Sequence, residues 1–532
     1  MVGRLNAAEQ LLAQGRPFEA VEALLGGLKA QPRDFRLRRA LAGALNGLPL
    51  DSAGLAVRDV LLDLCLDENI AAQSLADAVI GLTRNTPPFQ ALLRASVARK
   101  DLLAVEPAAV KAFAADSLLT ALLARAVIND PDLERVLTQL RRDLVARGAP
   151  IEGVSFEFAC ALARQCFNTE YAFFVDDDES KAPPPLADAS PREFEHRLVL
   201  AALHAPLHRL PGWERMLRWA PESLSDAFRP LWEEQIVNFQ KEREIAAGIE
   251  SLTPITNETS QAVRGQYEES PYPRWFTIHR PSPAPAQGPR SILIAGGGTG
   301  QHPIQVALAN PDSAVMALDL SRASLAYAKR MADRCGVKNL EFRQADILEL
   351  GSWDRKFDRI ESLGVLHHMK DPVAGWRVLT GLLNEGATMR IGLYSTLARA
   401  PLEDARKLIA AAGLPGAPEG IRRARRTILD LPENHPARNV LISDDFYSAS
   451  GCRDLIMHVQ EHTFTLPQIA HCLRELNLEL LGLQCPPEVN AAFRAAYPAP
   501  AALTDLSLWN EFEILHPEIF RGMVLFSCAR KK

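Results

Sequence analysis

The stretch from Ser291 to Gln301 constrains the chain more than any other. A short apolar run, Ile292 to Ala295, predicts a buried strand. It leads directly into glycines at 296, 297, 298 and 300, and a helical pattern resumes from Pro303. Strand, glycine turn and helix in that order bring bare backbone against a ligand, because only glycine lets the main chain approach so closely. A second apolar run, Ala314 to Leu318, ends at Asp319, nineteen residues after Gly300. An acid at that distance reaches ribose hydroxyls.

Two nucleotide chemistries compete for this pattern. The dinucleotide fingerprint G-x-G-x-x-G, started at Gly296, requires glycine or alanine at 301, where this chain has Gln301. The spacing G-x-G-x-G does fit, at Gly296, Gly298 and Gly300. In that spacing the segment resembles the first motif of class I S-adenosylmethionine methyltransferases. Further pieces follow in the family's order. Phe342 to Ile347 resembles the third motif, in which Asp346 and Ile347 flank an adenine. Phe357 to His368 resembles the fourth strand and its following turn, with Leu363, Gly364, His367 and His368 beside the reacting sulfonium. Asp319 and Leu320 take the ribose position. One departure is Ala295, where the family often carries an acid.

The resemblance implies an α/β fold: a Rossmann-like seven-stranded core, preceded by an all-α domain and carrying a helical insertion. The expected divisions are a hairpin similar to a tetratricopeptide unit at 1–50, an all-helical domain at 51–255, a lid and linker at 260–290, a cofactor-binding core at 291–394, a helical insertion at 395–465 and the end of the core at 466–532. The hairpin reading rests on Gly15 as a turn, Phe18 as an aromatic plug, Ala20 as a small contact and Pro32 as a stop. Such arrays need about three units and one is visible; an ordinary helical hairpin fits equally. The segment Gln266 to Trp275 contains Pro271 and Pro273, which predicts an irregular lid or a strap on the sheet. Arg280 to Pro289 reads as a stiff, extended linker.

With 47% hydrophobic and 23% charged residues, the 532-residue chain has the composition of a globular protein with several domains. A net charge of −6 gives no general basic footprint, so nucleic acid is not expected as a partner. The local exception is Arg422, Arg423, Arg425 and Arg426, a phosphate or acidic-surface contact or else a solvated helix face. The eight cysteines form no C-x-x-C pair, so no metal site is expected, and free thiols suit a cytoplasmic protein. No apolar stretch is long enough to span a membrane.

Transfer of a methyl group from a sulfonium is an in-line displacement, and an amine acceptor must lose a proton. The catalytic candidates are Glu361, His367, His368 and Tyr272, with Glu268, Asp444 and Asp445 as further bases. The turn after the fourth strand lacks the Asn/Asp-Pro-Pro-Tyr pattern used on adenine or glutamine. Four outer stretches, 165–171, 267–275, 446–455 and 458–462, resemble bacterial methyltransferases with helical N-terminal domains, including rickettsial protein lysine methyltransferases. That resemblance implies a protein or peptide acceptor, with a small molecule as the alternative. Tyr272, Trp275 and Tyr447 are candidates for an aromatic wall around a lysine stem. The large helical surface suits gripping a polypeptide or forming a homodimer. A scaffold that binds the cofactor and works through its helices is the competing reading, favoured by Ala295.

Overall fold

The computed structural model describes residues 2–51, 55–175, 191–269, 271, 274–278, 280–281, 288 and 290–531. The chain divides into two compact units. One comprises residues 1–240, 276–279 and 412–455; the other comprises 241–275, 280–411 and 456–532. The second contains the sheet. Its strands are β1 (Ser291–Ala295), β2 (Ala314–Asp319), β3 (Leu340–Gln344), β4 (Phe357–Leu363), β5 (Leu383–Leu393), β6 (Leu478–Leu483) and β7 (Val524–Arg530). Their spatial order is β3-β2-β1-β4-β5-β7-β6. β1 to β5 run parallel, and β7 lies antiparallel to both β5 and β6.

Burial on both faces explains the uninterrupted apolar strands. Ile292, Leu293, Ile294 and Ala295 of β1 are all at most 1% exposed, as a central parallel strand between two helical layers requires. The order reverses between β1 and β4, which places a crevice at the carboxyl ends of those strands. On the outer edge, Leu252 N–H donates to Gln344 O and Gln344 N–H to Glu250 O, so residues 250–252 cover part of the exposed ladder of β3. At the other end, Trp509 of helix Leu506–Leu515 stacks on Phe493 of helix Pro487–Ala496, with ring centroids 3.6 Å apart.

The first unit is helical, and one apolar cluster runs through it from Ala8 to Ile236. Its helices start where short polar caps precede proline or an apolar run. Thr86 caps Pro87–Val97 and Asp130 caps Pro131–Arg147, each with proline at the first turn, where its missing N–H costs nothing. Pro87 and Pro131 therefore mark helix starts. The N-terminal hairpin consists of helices Val2–Ala13 and Pro17–Ala30, with Gly15 at φ 71° between them. Ala20 is buried, but Phe18 is 58% exposed and plugs nothing, so the tetratricopeptide resemblance fails at that position.

The expected insertion divides between the two units. Residues 412–455 pack with the helical unit, and 395–411 and 456–465 stay with the sheet. The reason is a buried ion pair. Arg425, 1% exposed, donates from Nη2 to Glu134 at 2.6 Å, from Nε to Phe446 O and from Nη1 to Ala172 O. Nearby, Ala449 N–H donates to Thr169 O and Ser450 N–H to Glu170 Oε2. Two of the outer stretches, 165–171 and 446–455, thus meet each other within the helical unit. The acidic and proline-rich stretch 176–185, Tyr272, and most of the linker 280–289 lie outside the described residues.

Removing one partner of a buried, hydrogen-bonded pair leaves an uncompensated charge, at a cost of about 3–5 kcal/mol. Glu134→Ala is therefore expected to lower the denaturation midpoint of the helical unit. Arg423→Ala, which removes only an exposed pair with Glu419 3.2 Å away, should leave it unchanged.

Candidate active site

The glycine turn is clamped to the end of β2. Gly296 N–H and Gly297 N–H both donate to Leu318 O, at 2.8 and 2.7 Å. Gly296, Gly298 and Gly300 have φ of 90°, 50° and 88°. A Cβ on Gly296 would lie 2.1 Å from Val365 Cγ2, and one on Gly300 2.4 Å from Ala328 Cβ. The turn is thus pressed between the helix Arg322–Arg334 and the loop after β4, and no side chain fits there.

Asp319 is fixed by the turn it faces. Its Oδ2 accepts from Gly298 N–H at 2.8 Å and its Oδ1 from Ser321 N–H at 2.9 Å. Burial pushes its carboxyl above the ordinary range and neighbouring Glu268 adds to the rise, while the Ser321 and Gly298 amides oppose it. Each oxygen retains a second lone pair for a hydroxyl donor. Leu320 follows, its carbonyl accepting from Gln344 Nε2 at 2.8 Å. Asp346 is 1% exposed; its Oδ1 accepts from Leu348 N–H, and its N–H donates to Thr253 Oγ1. Its Oδ2 is buried with no partner. A buried carboxylate oxygen without a donor needs one from elsewhere, and an exocyclic amine supplies it. Ile347 is buried beside it. Leu363 and Gly364, the latter at φ 74°, are half-buried at the end of β4.

The two histidines of the next turn are held in an aromatic ladder. His367 is fully buried and stacks on Tyr394, centroids 3.9 Å apart, and the Arg399 guanidinium lies 3.4 Å from the centroid of the Tyr394 ring. His368 meets His367 edge-on and stacks on His458 at 3.8 Å. Burial, then the neighbouring His368 and Arg399, push the His367 imidazole well below its usual pKa, so it is neutral at pH 7. His368 Nδ1 lies 2.9 Å from Gln460 O. A carbonyl only accepts, so Nδ1 carries the proton and Nε2 is the basic nitrogen. His458 has the opposite tautomer: its Nδ1 accepts from Gln460 N–H, and its Nε2 faces Tyr267 OH at 3.3 Å. The other two outer stretches, 267–275 and 458–462, therefore meet beside this ladder.

Several expected roles change. Glu361 is fully buried between His302, 2.8 Å away, Arg390 at 3.2 Å and Arg359. Burial alone would raise its carboxyl, but the His302 hydrogen bond and these cations hold it at about 2, so it is a structural anion rather than a base. Glu268 accepts from Arg322 N–H and Ala323 N–H at the start of a helix, and serves as a cap. Asp444 accepts from Asn129 Nδ2 within the helical unit. Trp275 is 5% exposed and donates from Nε1 to Thr299 O at 2.9 Å, and Tyr327 OH donates to its carbonyl. Tyr447, 1% exposed, donates to Leu441 O in the helical core. Neither forms an aromatic wall. Residues 266–269 complete the helix Glu258–Glu269, so irregular backbone begins only after it. Tyr394, His302 and Arg399 escaped the sequence reading; only the position of Tyr394 directly after β5 hinted at it.

Two outcomes are expected. Gly300→Val should abolish binding of S-adenosylhomocysteine in calorimetry, because both its φ and its contact with Ala328 forbid the side chain. Glu361, whose folded pKa is depressed, contributes stability that is present above its ordinary pKa of 4.5 and lost as pH falls through about 2. The stability gap between wild type and Glu361→Gln should narrow over that window.

Residues 290–414 match the model of the methyltransferase domain family. An uncharacterised protein of a Synechococcus strain is 27% identical over 302 residues, covering 50% of this chain and 71% of that one. Among solved structures, PKMT2 from Rickettsia typhi in complex with AdoHcy is similar over 52% of this chain and 53% of its own, at 16% identity and TM-score 0.36. This chain thus spans about half the length of that relative. A methyltransferase from Clostridium acetobutylicum matches over 21% and 45%, at 23% identity and TM-score 0.19. The family match falls on the five parallel strands and the glycine turn, and the buried, partnerless Asp346 oxygen together with the side-chain-excluding glycines fits S-adenosylmethionine. Residues 290–414 of the chain carry a methyltransferase domain.

Proposed function

We propose that the domain methylates an amine, and that the acceptor is a lysine side chain of a protein. In this reading Gly296, Gly298 and Gly300 shape the backbone cradle for the cofactor. Asp319 and Leu320 hold its ribose, Asp346 and Ile347 its adenine, and Leu363 and Gly364 line the approach to its methyl. When bound, the cofactor supplies an electrophilic methyl group. This chain's residues align the acceptor, exclude water and take a proton.

One observation carries the reading: two adjacent imidazoles with different tasks follow the fourth strand. The loop that holds them touches the glycine turn through Val365. His367, buried and neutral, belongs to a desolvated environment in which the free amine is favoured over the charged ammonium. His368, with Nδ1–H committed to Gln460 O, offers Nε2 as the proton acceptor. Tyr267 and His458 position its ring. The large helical unit supports a polypeptide acceptor over a small one, because it offers surface that a small acceptor does not require. Tyr272 remains a candidate on sequence grounds.

His368→Gln is expected to lower turnover about 10²–10⁴-fold with cofactor affinity unchanged. The acceptor is tested by incubating the purified protein and labelled S-adenosylmethionine with cell extract, followed by mass spectrometry of labelled bands. Methyl-lysine in a protein band supports the proposal. Label confined to the small-molecule fraction would sink it.

A further inference from the structure

The arginine run 422–426 is not a solvated helix face throughout. On the helix Pro418–Leu429, Arg423 is exposed, but Arg422 and Arg426 are half-buried and Arg425 is buried. They open onto a cavity of about 70 Å³ within the helical unit. Arg99, Arg135 and Arg142 approach from other helices, and Thr138 and Gln139 add polar side chains. Against six guanidiniums the lining contains one carboxylate, Glu134, and that is committed to Arg425 at 2.6 Å. Arg426 donates from Nε to Asp430 at 2.5 Å and lies 5.3 Å over the Phe174 ring.

This arrangement is costly without a counter-ion. Burial, then Arg141 and Arg209, lower the pKa of Arg422 despite the opposing influence of Glu419. Six guanidiniums around one committed carboxylate leave the cavity lining with an excess of positive charge. Arg99 adds a backbone cost: it sits at φ 50°, a left-handed conformation uncommon outside glycine, as the chain turns after the helix Pro87–Val97. That turn delivers its side chain to the cavity rim.

We infer that this cavity binds a tetrahedral oxyanion of the phosphate class, held by forked hydrogen bonds from Arg99, Arg135 and Arg422, with Arg425 and Arg426 fixed by their own partners as the floor. Guanidinium forks match phosphate oxygens in pairs, and an arginine set suits a planar two-point contact better than lysine would. The space is large enough to hold a group the size of a phosphate. The phosphate is either a free ion or a monoester whose remainder projects from the opening. This site is separate from the methyl-transfer chemistry and does not depend on the proposed acceptor.

The test uses the full-length protein titrated with sodium phosphate, against sodium chloride at matched ionic strength, followed by thermal midpoint and calorimetry. Phosphate should raise the midpoint and bind with unit stoichiometry. The double variant Arg135→Gln/Arg422→Gln, with its fold checked by circular dichroism, should bind at least about tenfold more weakly. Arg99→Gln should also weaken binding, and Arg423→Gln, outside the cavity, should not. O-phosphoserine distinguishes the sources: competition with phosphate supports a monoester ligand, and exclusion supports the free ion. No phosphate-specific shift in the wild type, or an equal shift in the double variant, overturns the proposal.

Discussion

Two backbone amides on one carbonyl, Gly296 and Gly297 on Leu318, are the interaction around which the catalytic unit is arranged. They fold the chain sharply at the end of β1 and tie it to β2. The turn is then so tight that Val365 on one side and Ala328 on the other leave no room for a Cβ. The contact with Val365 sets the start of the loop carrying His367 and His368. The hydrogen bond from Gly298 to Asp319 orients the acid at the end of β2. The glycine turn, Asp319 and the imidazole pair therefore share one geometric origin, and a change at the glycines propagates to all three.

The catalytic core was legible because its signals are local. A strand that must be buried on both faces reads as an apolar run, and the glycines, Asp319 and Asp346 follow at spacings that a βαβ unit imposes. The sheet has the seven strands that the resemblance implied. What was not legible depends on partners distant in sequence. Glu361 looked like a base until His302, Arg359 and Arg390 closed around it. Glu268 became a cap only when the helix Arg322–Arg334 arrived beside it. Phe18 sat at the right spacing for a plug, yet it faces solvent.

Domain division failed for the same reason. Residues 395–465 are contiguous and helical, which suggests one insertion, but a single guanidinium decides otherwise. Buried Arg425 donates hydrogen bonds to Glu134, Ala172 and Phe446, and residues 412–455 pack with the helical unit. The outer stretches grouped by resemblance resolve into two local structures. One pair joins around Thr169 and Ala449 in the helical unit; the other joins through Tyr267 and His458 next to the imidazole ladder. Their shared pattern reflects two separate packing problems.

The most direct test of the account is calorimetric titration of the purified protein with S-adenosylmethionine and, separately, with NADH, alongside Asp319→Ala. The account predicts one S-adenosylmethionine per chain, no NADH, and loss of the signal in the variant. Binding of NADH in preference to S-adenosylmethionine, or unchanged S-adenosylmethionine binding by Asp319→Ala, would contradict it.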